Sequence, residues 1–150
     1  MRLVIQRVSE ASVTIGGSLH SEIGKGLMIL VGIAEGDTAA DVDWLAAKTA
    51  AMRIFPDENG VMNRSLIDTN GEALAVSQFT LTASTKKGNR PSYIHAAGHE
   101  VAIPLYELYC EKLSALIGKE VKRGVFGADM QVALINDGPV TIIIDSRLRE

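Results

Sequence analysis

The sequence predicts an α+β fold with a mainly antiparallel sheet, and three observations carry that expectation. Short apolar or alternating runs are separated by glycine-rich turns, as in strands joined by hairpins. Two segments, one after Asp37 and one around residues 105–117, switch to helical spacing. Helix and strand do not alternate throughout, as they would in a parallel βαβ protein.

The opening run RLVIQRV reads as a strand with Leu3, Ile5 and Arg7 on one face and Val4, Gln6 and Val8 on the other, so both faces are largely apolar. A second short strand over 11–15 ends at the turn Gly16-Gly17, and 19–23 returns to Gly24-Lys25-Gly26. The branched run Leu27-Met28-Ile29-Leu30-Val31-Gly32-Ile33 is too short to span a membrane and suits a buried central strand. Val42, Leu45, Ala46 and Thr49 then recur at helical spacing behind a Thr38/Asp41 capping box, which predicts a helix to about Ala51. Phe55-Pro56 leads into a turn at Asp57-Glu58-Asn59-Gly60, and 63–71 reads as a polar loop. A strand over 73–81 carries Ser77-Gln78-Phe79-Thr80 at its end, before a long loop containing Lys86-Lys87-Gly88-Asn89-Arg90-Pro91. The second helix collects Leu105, Leu108, Tyr109, Lys112, Leu113, Leu116 and Ile117, with Pro104 in its first turn or at its start and Gly118 just past its end. Two strands, 130–135 and 140–145, close the chain across a turn at Asn136-Asp137-Gly138-Pro139.

Composition bounds the function. With 150 residues, 47% hydrophobic and 22% charged, one soluble domain over 1–150 is expected in preference to two full-size ones. A net charge of −3 argues against a protein that coats nucleic acid. Two stretches nevertheless concentrate cation, Lys86, Lys87 and Arg90, then Lys119, Lys122 and Arg123; such clusters are ordinarily solvated loops. The single cysteine, Cys110, cannot form an internal bridge and fits a reducing compartment. Arg7 interrupts the first apolar run too early for a signal peptide or a membrane span, so a cytoplasmic protein is expected.

Most familiar chemistries lack their residues. Cys110 lies inside the second predicted helix, a poor place for a nucleophile. His95 and His99 have a spacing that can place two metal ligands on one helical face, but Ala96 stands where a metalloprotease needs glutamate and Gly98 weakens the helix. There is no GxGxxG, Walker or GxSxG motif, and three histidines offer little from which to build a Ser-His-Asp triad. No metal and no cofactor is therefore expected. Two segments stay unusual: Ser77-Gln78-Phe79-Thr80, where an apolar strand turns polar, and Asn136-Asp137-Gly138-Pro139-Val140-Thr141, where proline before a strand removes a ladder donor. Each also has a plain reading, as a wetted strand end and as a hairpin turn.

Together these segments resemble the D-aminoacyl-tRNA deacylases, also called D-tyrosyl-tRNA deacylases. The likeness runs from Gln6-Arg7-Val8 through Ser77-Gln78-Phe79-Thr80-Leu81, Arg90-Pro91-Ser92-Tyr93, Phe126-Gly127-Ala128-Asp129-Met130 and Asn136-Asp137-Gly138-Pro139-Val140-Thr141. Tyr93 departs from the phenylalanine more usual there, which keeps an aromatic contact.

The resemblance implies a barrel-like core and a homodimer whose active sites join Ser77, Gln78, Phe79 and Thr80 of one subunit to Gly138 and Pro139 of the other. It implies hydrolysis of the ester between a D-amino acid, or glycine, and the 3′-terminal adenosine of tRNA, with no DNA or membrane partner. A cis Gly138-Pro139 bond would turn its carbonyls toward the substrate ammonium and leave no room for an L side chain. The Phe79 and Thr80 N–H groups would hold the oxyanion. Thr80 as nucleophile and the tRNA 2′-hydroxyl as activator of water are the two routes to hydrolysis, the second preferred because the sequence pairs no base with Thr80. Arg7 and Asn136 are expected to support the Gly-Pro segment, with an ordinary salt bridge the alternative for Arg7. Phe126 and Met130 are expected to receive the terminal adenine, with core packing the alternative. Apart from the resemblance, a strand-rich interaction module, a non-catalytic RNA-binding dimer and a general esterase remain open.

Overall fold

The computed structural model describes residues 1–150. Its elements are β1 (Arg2–Ile15), β2 (Ser18–Ile23), β3 (Gly26–Gly32), α1 (Ala39–Ala51), β4 (Phe55–Pro56), β5 (Met62–Arg64), β6 (Glu72–Ser77), α2 (His99–Ile117), β7 (Lys122–Arg123) and β8 (Gln131–Asp145), with a 3₁₀ turn at Phe79–Thr82.

The long strand β1 organises the sheet. Along one edge it pairs antiparallel with β8, from Arg2↔Asp145 to Thr14↔Gln131. Its other edge is shared, β3 taking Arg2 to Val8 and β2 taking Ala11 to Ile15. The antiparallel majority expected from the turns is present, but β3–β6 and β6–β7 are parallel, so the sheet is mixed. Those two pairings are the ones whose connections contain α1 and α2, as parallel crossovers require. The Ser21 hydroxyl on β2 donates to the Arg123 carbonyl on β7 at 2.8 Å, drawing the ends of the path β2-β1-β3-β6-β7 into a nearly closed barrel.

Curling the sheet divides the core in two. Val8, Val13, Ile23, Met28, Leu74 and Val76 fill the barrel, while Leu3, Ile5, Leu27, Ile29 and Ala75 face the helices. The register of β1 against β8 shifts between Gln6 and Val8 and again between Val8 and Glu10. These irregularities let one strand serve both clusters, which a constant two-residue alternation does not allow.

Helix α1 ends where its periodicity predicts, and the Thr38/Asp41 capping box is formed. Helix α2 starts at His99, earlier than expected, so Pro104 lies inside it on an exposed face where water can serve the carbonyl it leaves unpaired. The Thr49 and Tyr109 hydroxyls lie 2.9 Å apart between the two helices. The Tyr106 hydroxyl donates to Ala75 O at 2.8 Å, fixing α2 to β6 two residues before Ser77. The Met1 amino group is fully buried against the Asp37 carboxylate at 2.6 Å, and Asp37 also accepts from the Ala34 N–H at 2.7 Å.

Four further expectations are corrected. Residues 2–15 form one strand, not two. The strand from residue 73 stops at Ser77 and gives way to the 3₁₀ turn, and the loop 63–71 begins as the short strand β5, paired with β4. Residues 130–145 do not make a hairpin: β8 runs through, and residues 137–140 swell out of its ladder opposite Arg7 alone. Asp-Gly-Pro is locally good turn chemistry, but the partner of both flanks is β1, so the segment forms a bulge.

Candidate functional site

The end of β6 is held from three directions. Gln78 N–H donates to Val31 O at 2.8 Å, which carries the chain off the sheet beside β3. Leu81 N–H then closes on Gln78 O at 3.2 Å, and the Thr82 hydroxyl caps Phe79 O at 2.8 Å. Arg2 clamps the far side, donating from Nη1 to Leu81 O at 3.0 Å and from Nε to Asp145 at 3.1 Å. Beneath the turn lies Gly32, where an added Cβ would meet Leu81 Cβ at 2.7 Å and Gln78 O at 3.1 Å. Only glycine permits so close an approach. The N–H groups of Phe79 and Thr80 open this turn, ahead of its first internal bond, and such leading donors have no partner within the turn itself.

The Thr80 hydroxyl has one hydrogen-bond partner, the Gln78 carboxamide, which donates to it at 2.5 Å. A carboxamide takes up no proton near neutral pH, so the hydroxyl is oriented but has no base beside it.

A cleft of about 520 Å³ opens next to the turn. Ser77, Gln78 and Phe79 line one side; His99, Phe126 and Met130 line another. The Phe126 ring stands edge-on to His99 at 5.5 Å and to Tyr106 at 6.0 Å, and Met130 lies across Gly124, where a Cβ would meet its sulfur at 2.5 Å. Phe126 and Met130 also pack against the core clusters, the alternative expected for them. Phe79 is 55% exposed, with Tyr93 edge-on to its ring at 5.1 Å.

Gly138 and Pro139 are exposed on the β8 bulge and do not line this cleft. Their peptide bond is cis. Arg7, its side chain only 11% exposed, donates from Nε to Asp137 O at 3.0 Å and from Nη1 to Ile54 O at 2.7 Å, with the Asp137 carboxylate 3.6 Å away. Both expectations for Arg7, support of the bulge and a salt bridge, therefore occur together. Asn136 spans the bulge: its Oδ1 accepts from Val140 N–H at 3.2 Å and its Nδ2 donates to the Thr141 hydroxyl at 3.0 Å.

The alternatives weighed from sequence fare differently. Cys110 is buried, and desolvation pushes its thiol up to about 11, which removes the thiolate a nucleophile needs. His95 precedes α2 while His99 begins it, so the two share no helical face. Sequence reading missed Gly32 and Arg2, and weighed His99 as a metal ligand and not as a wall of the cleft. A glycine inside the branched run of β3 is a sign of close backbone approach, but the approaching segment lies more than forty residues on.

Fold and site define a class: an α+β protein on a nearly closed mixed sheet, with a turn of leading backbone N–H groups beside a cleft and, on the same turn but outside the cleft lining, a Thr80 hydroxyl held by an amide in place of a nucleophile with its base. The family model described as D-Tyr-tRNA(Tyr) deacylase matches residues 4–145. D-aminoacyl-tRNA deacylases of Porphyromonas gingivalis and Bacteroides fragilis are each 63% identical over 150 residues, covering all of both chains. That of Flavobacterium johnsoniae is 58% identical over the same span. Among solved structures, one named c-Myc DNA Unwinding Element Binding Protein is 41% identical with a TM-score of 0.91, covering 97% of this chain and 98% of that one. A probable eukaryotic D-amino acid tRNA deacylase shares the fold at 16% identity and a TM-score of 0.83, covering 95% and 97% of the two chains. The chain belongs to the D-Tyr-tRNA(Tyr) deacylase family.

Proposed function

We propose that this chain hydrolyses the ester between a D-amino acid and the 3′-terminal adenosine of tRNA, releasing the amino acid and a reusable tRNA in the cytoplasm. The observation that carries this reading is the Phe79–Thr82 turn, whose leading N–H groups stand beside a cleft walled by Phe126 and Met130. The relatives' names and the family match support it.

In this reading the terminal adenine rests against Phe126 and Met130, and the ester carbonyl meets the Phe79 and Thr80 N–H groups. Those donors strengthen as negative charge develops; removal of one such donor typically costs on the order of 10²–10³ in rate. The hydroxyl of Thr80 has no base, so the neighbouring 2′-hydroxyl of the substrate serves to activate water. Gly138 and Pro139 act in the cleft of a second copy. Their exposure outside their own cleft supports this, as do the half-exposed Phe79 and the 69% exposed Ile143. Held by Arg7 and Asn136, the Gly-Pro backbone accepts the substrate ammonium and leaves no space for an L side chain. Glycine, with no side chain to refuse, is a second substrate.

A deacylation assay with D-aminoacyl-, L-aminoacyl- and glycyl-tRNA tests the reading. Rapid release from the D and glycyl forms with the L form spared is expected; equal D and L rates refute chiral selection. A second reading, nucleic-acid binding without turnover, is favoured by the name of the 41% identical relative. It predicts that every ester survives the assay.

A further inference from the structure

The chain has eighteen acidic residues, yet none falls between Glu72 and Glu100. That acid-free stretch contains Ser77, Gln78, Phe79 and Thr80 as well as the cleft residues Ala96, Ala97 and His99. It also carries Lys86, Lys87 and Arg90, all exposed and none in an ion pair or hydrogen bond. The other basic stretch is tied down, because Lys119 donates to Asn70 O at 2.6 Å while Lys122 and Arg123 are half-buried in β7. The opposite wall of the cleft, residues 126–132, has one acid, Asp129.

The cationic loop is anchored to the turn. Its base is closed by reciprocal bonds, Ser84 N–H to Ser92 O at 2.8 Å and Ser92 N–H to Ser84 O at 2.9 Å. On one side the chain enters directly from the 3₁₀ turn; on the other it leaves through Tyr93, whose ring packs on Phe79. Cations on a loop fixed at both ends to the oxyanion turn keep a set position relative to it.

We propose that residues 84–92 form a phosphate clamp, in which Lys86, Lys87 and Arg90 hold the ribose–phosphate backbone of the single-stranded 3′ end of the tRNA while its last nucleoside enters the cleft. This rests on the deacylase reading and adds to it the part of the substrate gripped outside the cleft. It also accounts for how a chain of net charge −3 takes a polyanion: the acids are kept away from the segment that meets it.

The test compares D-aminoacyl-tRNA with the D-aminoacyl ester of adenosine, which has no phosphate. Lys86→Gln, Lys87→Gln and Arg90→Gln are made singly and together, with the exposed Lys25→Gln as a control outside the stretch. Each single-strand phosphate contact contributes roughly −0.7 to the slope of log affinity against log salt, so three contacts give about −2. The triple variant is expected to lose that slope on tRNA, with KM raised more than tenfold at low salt and kcat held, and with a smaller loss for each single variant. No comparable loss is expected on the adenosine ester, nor from Lys25→Gln on either substrate. An unchanged salt slope, or an equal loss on both substrates, overturns the clamp. Titration of an uncharged RNA ending in a single-stranded 3′ tail separates the two claims: wild type that binds it with the same salt slope but cleaves neither ester keeps the clamp and refutes the deacylase reading.

Discussion

Removing the Arg7 guanidinium is the sharpest test of how the β8 bulge is held. Arg7 donates to Asp137 O and Ile54 O, tying both segments to β1, and the Asp137 carboxylate is 58% exposed. That ion pair is therefore screened and contributes little. Each hydrogen bond from a charged donor is worth about 1.5–3 kcal/mol, and water recovers part of it at the exposed Asp137 carbonyl, leaving about 2–4 kcal/mol for Arg7→Ala. For a chain of this size that lowers Tm by about 5–15 °C. The kinetic effect exceeds the loss of folded protein, since a displacement of about 1 Å in a positioning group can cost 10²-fold in rate. D-aminoacyl-tRNA deacylation per folded molecule should fall about 10²-fold and the D-to-L rate ratio should narrow. Arg7→Lys should recover only part, because one ammonium cannot serve two diverging carbonyls as a guanidinium does. Deacylation of D and L substrates well below both melting temperatures, beside thermal melts, measures both effects. A lowered Tm with wild-type rate and D-to-L ratio would show that Arg7 stabilises the fold without positioning the bulge.

Three other substitutions probe the remaining parts. At Gly138, where φ is +130 and an added Cβ would lie 3.0 Å from both Arg7 Nη2 and Val140 Cγ2, alanine should cost about 1–3 kcal/mol of strain and more than tenfold in deacylation, with circular dichroism unchanged; wild-type turnover would refute the close fit. Thr80→Ala should reduce turnover less than about tenfold, since the N–H donors remain; abolished turnover with substrate binding intact would make the hydroxyl the nucleophile. Asp37→Asn leaves the buried amino group of Met1 without its countercharge, which should cost about 3–5 kcal/mol in urea unfolding and lower Tm by about 10 °C or more, while the rate per folded molecule stays near wild type. A stability loss under about 1 kcal/mol would contradict the burial of that pair.

What the sequence made legible follows the range of the interactions. Helix α1 is local: Val42, Leu45, Ala46 and Thr49 set its buried face and Thr38 with Asp41 caps it, so its end was readable at Ala51. The start of α2 was not, because Pro104 is a strong local stop signal and its tolerance depends on facing solvent. The bulge at Asp137 looked like a hairpin because Asp-Gly-Pro favours a turn, whereas the choice is made by β1, about 130 residues away in sequence. The site divides in the same way. Ser77-Gln78-Phe79-Thr80 and Gly138-Pro139 stand out as motifs, and Arg7 as a charge on an apolar face. Gly32 and Arg2 acquire meaning only when the 3₁₀ turn settles on β3 and Leu81 O comes within reach.

The pairing of β1 with β8 also fixes when the molecule becomes competent. Residues 2–15 leave the ribosome long before their partners at 131–145. The guanidinium that braces the bulge waits on the opening strand for carbonyls not yet made. Contacts so distant in sequence close late and slowly, since the loop entropy must be overcome before they form. A nascent chain thus holds the cleft residues of β6 well before it holds the Gly-Pro bulge and the strand that carries it.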